Sequence, residues 1–318
     1  MKSKKILITG GAGYIGQNLI AFFLKEKCKI YAIDNFLTSK PINKKILSKI
    51  SFYEIDLSNK EAVKSFFKNK NFDLIIHLAA CSGVKEFNVD ILKNLNNNVL
   101  ATDNLLRFGL NKKKTKLIFA SSAAVYGKVS KNKIDEKKEC NPINYYGFSK
   151  LVSENIIIKQ LKKKKTRYAI LRYFNVVGSI IEYKIYKKVK SLFDIIANNI
   201  KEKKYKININ GRNFNTKDGT PERDFIHMSD ICNIHYKTYK YLTKNKRLVL
   251  NCGSGSKYSV LKIVRAFEKK IKRKFSISYK VTNFNETETI CSNIVSLKKS
   301  LKINIEKKEI KDLIKDYL

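Results

Sequence analysis

Tyr146-Gly-Phe-Ser-Lys150 places a phenol and an amine four residues apart. On a helix that spacing stacks both side chains on one face. A free tyrosine titrates near pH ~10 and is a poor base at neutral pH. An ammonium held beside it favours the phenolate. Tyr146 is therefore a candidate general base and Lys150 its partner. The same spacing also fits the bland face of an amphipathic helix. Upstream, Ala120-Ser-Ser-Ala-Ala-Val-Tyr-Gly127 follows an apolar strand-like run, Lys116–Ser121. Hydroxyls at the carboxyl end of a parallel strand face the crevice of an open sheet. From there Ser122 can share a hydrogen bond with a substrate hydroxyl.

A second constellation opens the chain. Gly10-Gly-Ala-Gly-Tyr-Ile-Gly16 spaces Gly10, Gly13 and Gly16 as G-x-x-G-x-x-G between a strand and a helix. Such a turn brings backbone close to a pyrophosphate, which then faces a helix N-terminus. Asp34 ends the next apolar run, where a carboxylate accepts from adenosine ribose hydroxyls. It would repel a ribose phosphate, and Asn35 rather than an arginine follows it. The pattern favours NAD over NADP.

These residues need elements to hold them. Apolar strand runs at Lys5–Thr9, Ile30–Ile33, Ser51–Ile55, Asp73–Ala79, Lys116–Ser121 and Tyr168–Leu171 alternate with helical spacing at Asn18–Lys27, Lys60–Lys68, Val84–Phe108 and Tyr145–Leu161. Alternation of this kind implies crossover units and a parallel sheet covered on both faces. The fold expected is α/β, a Rossmann-type doubly wound parallel sheet with a smaller C-terminal substrate lobe. After Arg172 the rhythm breaks into shorter elements near 187–200, 229–242, 248–251 and 259–272. We expect residues 1–175 to form the NAD-binding domain, with 223–251 returning to it, and 176–222 and 252–318 to form the substrate-binding lobe.

Composition narrows the function classes. The 318 residues are 43% hydrophobic, which excludes wholesale disorder. Six cysteines without a C-x-x-C pair and three histidines offer neither a disulfide scaffold nor a metal site. No apolar run reaches the ~20 residues of a bilayer span. A cytoplasmic location without membrane association is expected. The net charge of +39 comes mainly from dispersed lysines. It reads as solvated surface that also favours phosphorylated ligands, and no nucleic-acid partner is expected. His77 and His227 read as structural, and Asp135, Glu136 and Glu139 as a solvated cluster.

Thr9–Gly16, Ala120–Gly127, Tyr146–Lys150, Leu171-Arg-Tyr-Phe-Asn175 and Asp218-Gly-Thr-Pro-Glu-Arg-Asp-Phe-Ile-His227 together resemble the extended short-chain dehydrogenase/reductase superfamily. Within it the family of UDP-glucose 4-epimerases is the most similar, in order over roughly residues 4–270. The resemblance implies an NAD-dependent isomerase of nucleotide sugars with a UDP-sugar substrate, a place in galactose metabolism, and a homodimer. It implies Tyr14 and Ile15 on the NAD pyrophosphate, Asp34 and Asn35 on the ribose, and Asp56 and Leu57 at the adenine. Ala79 and Ala80 would pass beneath the cofactor, Asn97 would contact it, and Phe174 would abut its nicotinamide. Ser122, Tyr146 and Lys150 would be catalytic, with Asn175 and Arg223 on the nucleotide sugar. An arginine suits a diphosphate because its fork donates to two oxygens. By itself Arg223 also fits a surface ion pair with Asp224 or Asp230.

The chain departs from the family pattern in several places. Ser82 replaces a usual lysine, Ser191 replaces a usual asparagine, and the segment after Gly178 is short. Thr282–Glu286 lacks the usual second arginine. Ile290 is smaller than the usual tyrosine, so UDP-N-acetylglucosamine and UDP-glucuronate stay open as substrates. A sugar-nucleotide dehydratase would need an acid directly after the serine, where Ala123 stands. A non-catalytic NAD-binding regulator would need no Ser-Tyr-Lys set.

Overall fold

The computed structural model describes residues 3–81, 91–110, 114–129, 133–181, 185, 191–280 and 287–318. Ser82, Val84–Asp90 of the expected long helix, and Thr282–Glu286 lie outside them.

Seven strands build the main sheet. They are β1 (Lys5–Thr9), β2 (Lys29–Asp34), β3 (Ser51–Glu54), β4 (Leu74–His77), β5 (Lys116–Ser122), β6 (Tyr168–Tyr173) and, far later in the chain, β10 (Arg247–Cys252). Their order is β10-β6-β5-β4-β1-β2-β3, all parallel. The order reverses between β1 and β4, and that switch point leaves a crevice at the strands' carboxyl ends.

The core follows from strand periodicity. Ile6 and Ile8 point to one face, with Leu19, Ile20 and Phe23 of α1 (Tyr14–Lys25). Leu7 between them points to the other, with Val63 and Phe66 of the next long helix. Both faces are covered, so the strands read as continuous apolar runs.

The remaining helices are α2 (Lys44–Leu47), α3 (Lys60–Phe67), α4 (Ile91–Leu95), α5 (Ala101–Gly109), α6 (Tyr145–Lys163), α7 (Leu192–Lys201), α8 (Met228–Lys244), α9 (Val260–Ile271), α10 (Val295–Leu301) and α11 (Ile310–Ile314). A π-helical turn, Asn96–Leu100, joins α4 to α5.

The smaller lobe holds β7 (Asn175–Val177), β8 (Lys206–Asn210), β9 (Glu222–His227), β11 (Lys257–Ser259), β12 (Ser276–Lys280) and β13 (Thr289–Ile290). β9 sits between β11 and β13 and also pairs with β7, while β12 pairs with β8. The segment starting at Arg223 thus first supplies β9 to this lobe. β9 already buries Ile226 in the main-domain core, and α8 and β10 follow it there, β10 pairing with β6. Leu297 and Leu301 of α10 also pack into the main-domain core.

The buried histidines are cross-ties. Thr102 Oγ1 donates to Asn98 O at 2.6 Å, so it accepts from His77 Nε2 at 3.0 Å. His77 Nδ1 then accepts the Thr9 hydroxyl at 2.7 Å. Burial pushes His77 down to about 3 and His235 to about 4. Each unfolded histidine binds a proton below ~6.5 that its folded form refuses, so stability falls as pH drops through that range. We expect the melting temperature to decline from pH 6.5 to 4. The double variant His77→Gln/His235→Gln should flatten that slope; an unchanged slope would contradict the neutral-histidine reading.

Candidate active site

The glycine loop links β1 to α1 and faces the crevice. Gly10 has φ +70°, and a Cβ there would lie 2.8 Å from Ala79 N. A Cβ on Gly16 would come within 2.2 Å of the Gly10 carbonyl. Helix α1 can therefore start this close to β1 only with glycine at Gly16. Gly13 caps the helix without a side-chain hydrogen bond, which leaves a positive dipole end at the cleft. Gly10, Gly13, Asp34, Asn35, Asp56, Leu57, Ala79, Ala80 and Asn97 line one cleft.

These donors and shapes fit NAD. The cradle is one that a Cβ would fill, and a carboxylate stands at the ribose end. Asp34 Oδ2 accepts from Ala12 N at 2.9 Å, and Oδ1 accepts from Phe36 N and Ser39 Oγ at 2.9 and 2.8 Å. A carboxylate has about four lone-pair sites and can still take a ribose hydroxyl. Asp34→Ala should lower retained NAD and relax discrimination against NADP, read by cofactor content after gel filtration. Equal wild-type affinity for the two cofactors would overturn the ribose argument.

Tyr14 and Ile15 open α1 directly after the glycine turn. The Tyr14 hydroxyl turns to the lobe and donates to Gly178 O, while Ile15 packs against the main core. That leaves their backbone, at the start of α1, to face a phosphate. Phe174 is buried with Ala123, Val125 and Tyr126.

The acid-base residues meet at the end of β5. Ser122 ends that strand and caps a 3-10 turn, its Oγ accepting from Ala124 N at 3.2 Å. Asn144 caps α6 by accepting from Gly147 N at 2.8 Å. A Cβ on Gly147 would lie 2.4 Å from Ala124 O, so glycine lets the helix approach the Ser122 turn. Tyr146, on the first turn of α6, lies close enough to Ser122 for that hydroxyl to pull its pKa down. One turn on, Lys150 is buried, donates to Ala120 O at 2.8 Å, and lies 5.8 Å from the Tyr146 ring centre.

Burial acts against the expected phenolate. It pushes Tyr146 up to about 12, with the nearby Ser122 hydroxyl pulling the other way. It pushes Lys150 down to about 7, opposed by Glu154 and Cys81. Desolvation thus dominates both groups, and added positive charge in the cleft is needed to draw the proton off the phenol.

The lobe holds a second cleft. Arg223 lines a cleft of about 540 Å³ with Leu192, Asn208, Asn210 and Lys280, a volume within the roughly 300–1,000 Å³ usual for small-molecule sites. Its Nη1 donates to the carbonyls of Thr287, Glu222 and Glu288 at 2.8, 3.0 and 3.3 Å. Neither considered acidic partner takes it: Asp224 accepts from Ser254, Gly255 and Ser292, and Asp230 pairs with Lys308. Asn175 on β7 is exposed and donates to Asp224 O at 3.0 Å. Ile290 pairs with Arg223 in register and packs beside Phe174 and Ala123. Ser191 instead forms a capping box with Asp194 at the start of α7.

Sequence reasoning missed several supports. Asn98, on the π turn, accepts from Cys81 N at 2.8 Å and donates to Cys81 O at 3.2 Å, fixing the chain beside the cleft. Asn104 donates to Leu57 O at 2.9 Å. Glu136 is not merely solvated: it accepts from Asn251 N at 2.8 Å, whereas Asp135 and Glu139 are exposed. Asn residues inside a helical stretch are the one available signal for Asn98 and Asn104, since they are poor helix formers.

A doubly wound parallel sheet, a glycine loop at its switch point, a carboxylate ending β2, and a Ser-Tyr-Lys cluster at the end of β5 define a nucleotide-cofactor enzyme of the extended short-chain dehydrogenase/reductase class. More narrowly, the chain belongs to the NAD dependent epimerase/dehydratase family, whose model matches residues 6–253. It is 34% identical over 270 residues to the UDP-glucose 4-epimerase of Lactobacillus helveticus, covering 83% of this chain and 81% of that one. The UDP-glucose 4-epimerase of Bifidobacterium longum, solved with NAD+ and UDP, superposes with a TM-score of 0.90 at 27% identity, covering 98% and 96% of the two chains. The UDP-Glc/GlcNAc 4-epimerase of Campylobacter jejuni superposes with a TM-score of 0.84 at 32% identity, covering 99% and 98%.

Proposed function

We propose that this chain is a nucleotide-sugar 4-epimerase interconverting UDP-glucose and UDP-galactose. The observation that carries the reading is the meeting of Ser122, Tyr146 and Lys150 at the end of β5. Ile290, paired in register with Arg223, packs on Ala123 and Phe174 beside that cluster.

NAD, when bound, supplies a reversible two-electron oxidation at sugar carbon 4, with no net redox. Gly10, Gly13, Gly16, Asp34, Asn35, Asp56, Leu57, Ala79, Ala80 and Asn97 would hold it. Tyr146 takes the proton of the 4-hydroxyl and later returns it. Ser122 hydrogen-bonds the same oxygen and orients it toward the phenol. Lys150 offsets the charge that develops on Tyr146. Arg223 and Asn175 hold the nucleotide end, so the sugar can turn over while staying tethered.

The test is incubation of the purified protein with a panel of UDP-hexoses and identification of the products. Interconversion of UDP-glucose and UDP-galactose is expected; turnover of neither sugar overturns the reading. One observation favours a second substrate. Ile290, half-buried beside Phe174, leaves more room than a tyrosine would, so UDP-N-acetylglucosamine belongs in the panel.

Two further expectations belong to this reading. Leu100 before α5 and Tyr145 and Phe148 on α6 are exposed apolar side chains, which supports a homodimer through those helices. All six cysteines are free thiols, which supports a reducing, cytoplasmic compartment. No helix among the described residues is long and apolar enough to cross a membrane.

A further inference from the structure

Arg172, in the Leu171–Asn175 motif, has no role in the scheme above, yet it is buried and charged. Its Nε and Nη2 donate to Glu154 Oε1 and Oε2 at 3.0 and 2.7 Å, a two-pronged pair. Glu154 is itself buried and stands on α6 one turn beyond Lys150. Its Oε1 also accepts from Ser121 Oγ at 2.5 Å, and Ser121 lies between the Lys150-bound Ala120 and Ser122. Arg172 Nη1 donates to Tyr126 Oη at 2.9 Å, at the far end of the turn that Ser122 caps. Tyr126 in turn donates to Asn251 Oδ1 at 2.7 Å.

One ion pair therefore ties α6, β5, β6, the Ser122 turn and β10 together directly behind the reacting groups. We propose that Glu154 and Arg172 form a positioning pair that fixes α6 against the end of β5 and sets the negative charge facing the Lys150 ammonium across one helical turn. The proposal rests on the reading of Tyr146 and Lys150 as the acid-base pair.

The other groups facing Lys150 are few among the described residues. Tyr146 lies on its own helix, His77 on β4, and Cys81 just after β4. His77 is held neutral by burial. Glu154 is the carboxylate among the groups that oppose the desolvation of Lys150, and it acts more strongly than Cys81. Removing its charge makes Lys150 surrender its proton at lower pH. The alkaline limb of turnover should follow.

The experiment measures kcat and KM against pH for the NAD-loaded protein and its Glu154→Gln variant. The expected result is a kcat about tenfold lower at the optimum, the scale of a small misplacement of reacting groups, with KM within about twofold. The alkaline limb should also move down by about one pH unit, the usual effect of losing a neighbouring opposite charge. A purely structural role would lower kcat equally at all pH values; an unmoved limb overturns the proposal.

A lone buried guanidinium could prevent folding of the single variant. The double variant Glu154→Gln/Arg172→Met removes both charges with similar volumes, a replacement that buried pairs commonly tolerate. Its limb should move the same way but less far, because losing the Arg172 cation offsets part of the loss of the Glu154 anion. Tyr146→Phe, measured alongside, separates the two readings. Full turnover in that variant overturns the base assignment together with the proposal. Loss of turnover there, with an unmoved limb in the Glu154 variants, overturns the positioning pair alone.

Discussion

Tyr146→Phe should lower turnover by at least ~100-fold, the low end for a positioned acid-base group and about 2.7 kcal/mol of barrier. The ring stays, so the packing of α6 on the Ser122 turn is preserved. Only the hydroxyl is lost. Lys150 keeps its bond to Ala120 O, which does not involve the phenol. NAD content should therefore match wild type. The structure makes the size of the effect depend on the loaded state. In the chain alone, burial holds Tyr146 at about 12, and a phenol that reluctant is a weak base near neutrality. The positive charge that cofactor binding brings must supply the rest of the shift. A Tyr146→Phe variant that epimerises at near-normal rates, with NAD bound, would sink the assignment.

How much of this was legible in the chain depends on the range of each interaction. The strands were legible because a parallel sheet buries both faces, so the inner positions of β1 (Ile6–Ile8) and β4 (Leu74–Ile76) are all apolar. The glycine loop, Asp34 and the Tyr146–Lys150 spacing were legible because each is local, set by turn sterics or by one helical repeat. The lobe was harder. β9 reads Glu-Arg-Asp-Phe-Ile-His, polar in its first half, because that half serves the cleft and the Asp224 anchor rather than a core. Nothing in that string says whether it joins the main sheet or a small one. The Glu154–Arg172 pair was invisible for another reason. Its partners come from a helix and a strand, and only the packing of α6 on the sheet brings them together. Asn98 was hidden by a π turn, which shifts the helical phase by about one residue and redirects the asparagine onto Cys81.

Arg223→Ala should weaken UDP binding by about ten- to a hundredfold, since hydrogen bonds to charged partners are worth roughly 1.5–3 kcal/mol. The sequence offers no second arginine in the later stretch where the family usually has one, so Arg223 should carry a larger share of the diphosphate's charge. The structure adds a reason for precision. Nη1 is already committed to the carbonyls of Glu222, Thr287 and Glu288, so the guanidinium is held in one orientation before any ligand arrives. Pre-organisation of this kind removes the entropy cost of fixing a long side chain on binding. Arg223→Lys should therefore recover only part of the loss, because an ammonium cannot both hold three carbonyls and meet two phosphate oxygens. The same anchoring predicts a second, separable effect. Arg223 ties β9 to the start of β13, where Ile290 faces the region beside Phe174. Loosening it should alter the ratio of UDP-glucose to UDP-N-acetylglucosamine turnover as well as UDP affinity. Calorimetry with UDP, with NAD content checked in the same sample, reads the first effect, and product ratios read the second. Unchanged UDP affinity in Arg223→Ala with NAD retained would mean that the diphosphate sits elsewhere, and the lobe cleft would lose its claim to the nucleotide.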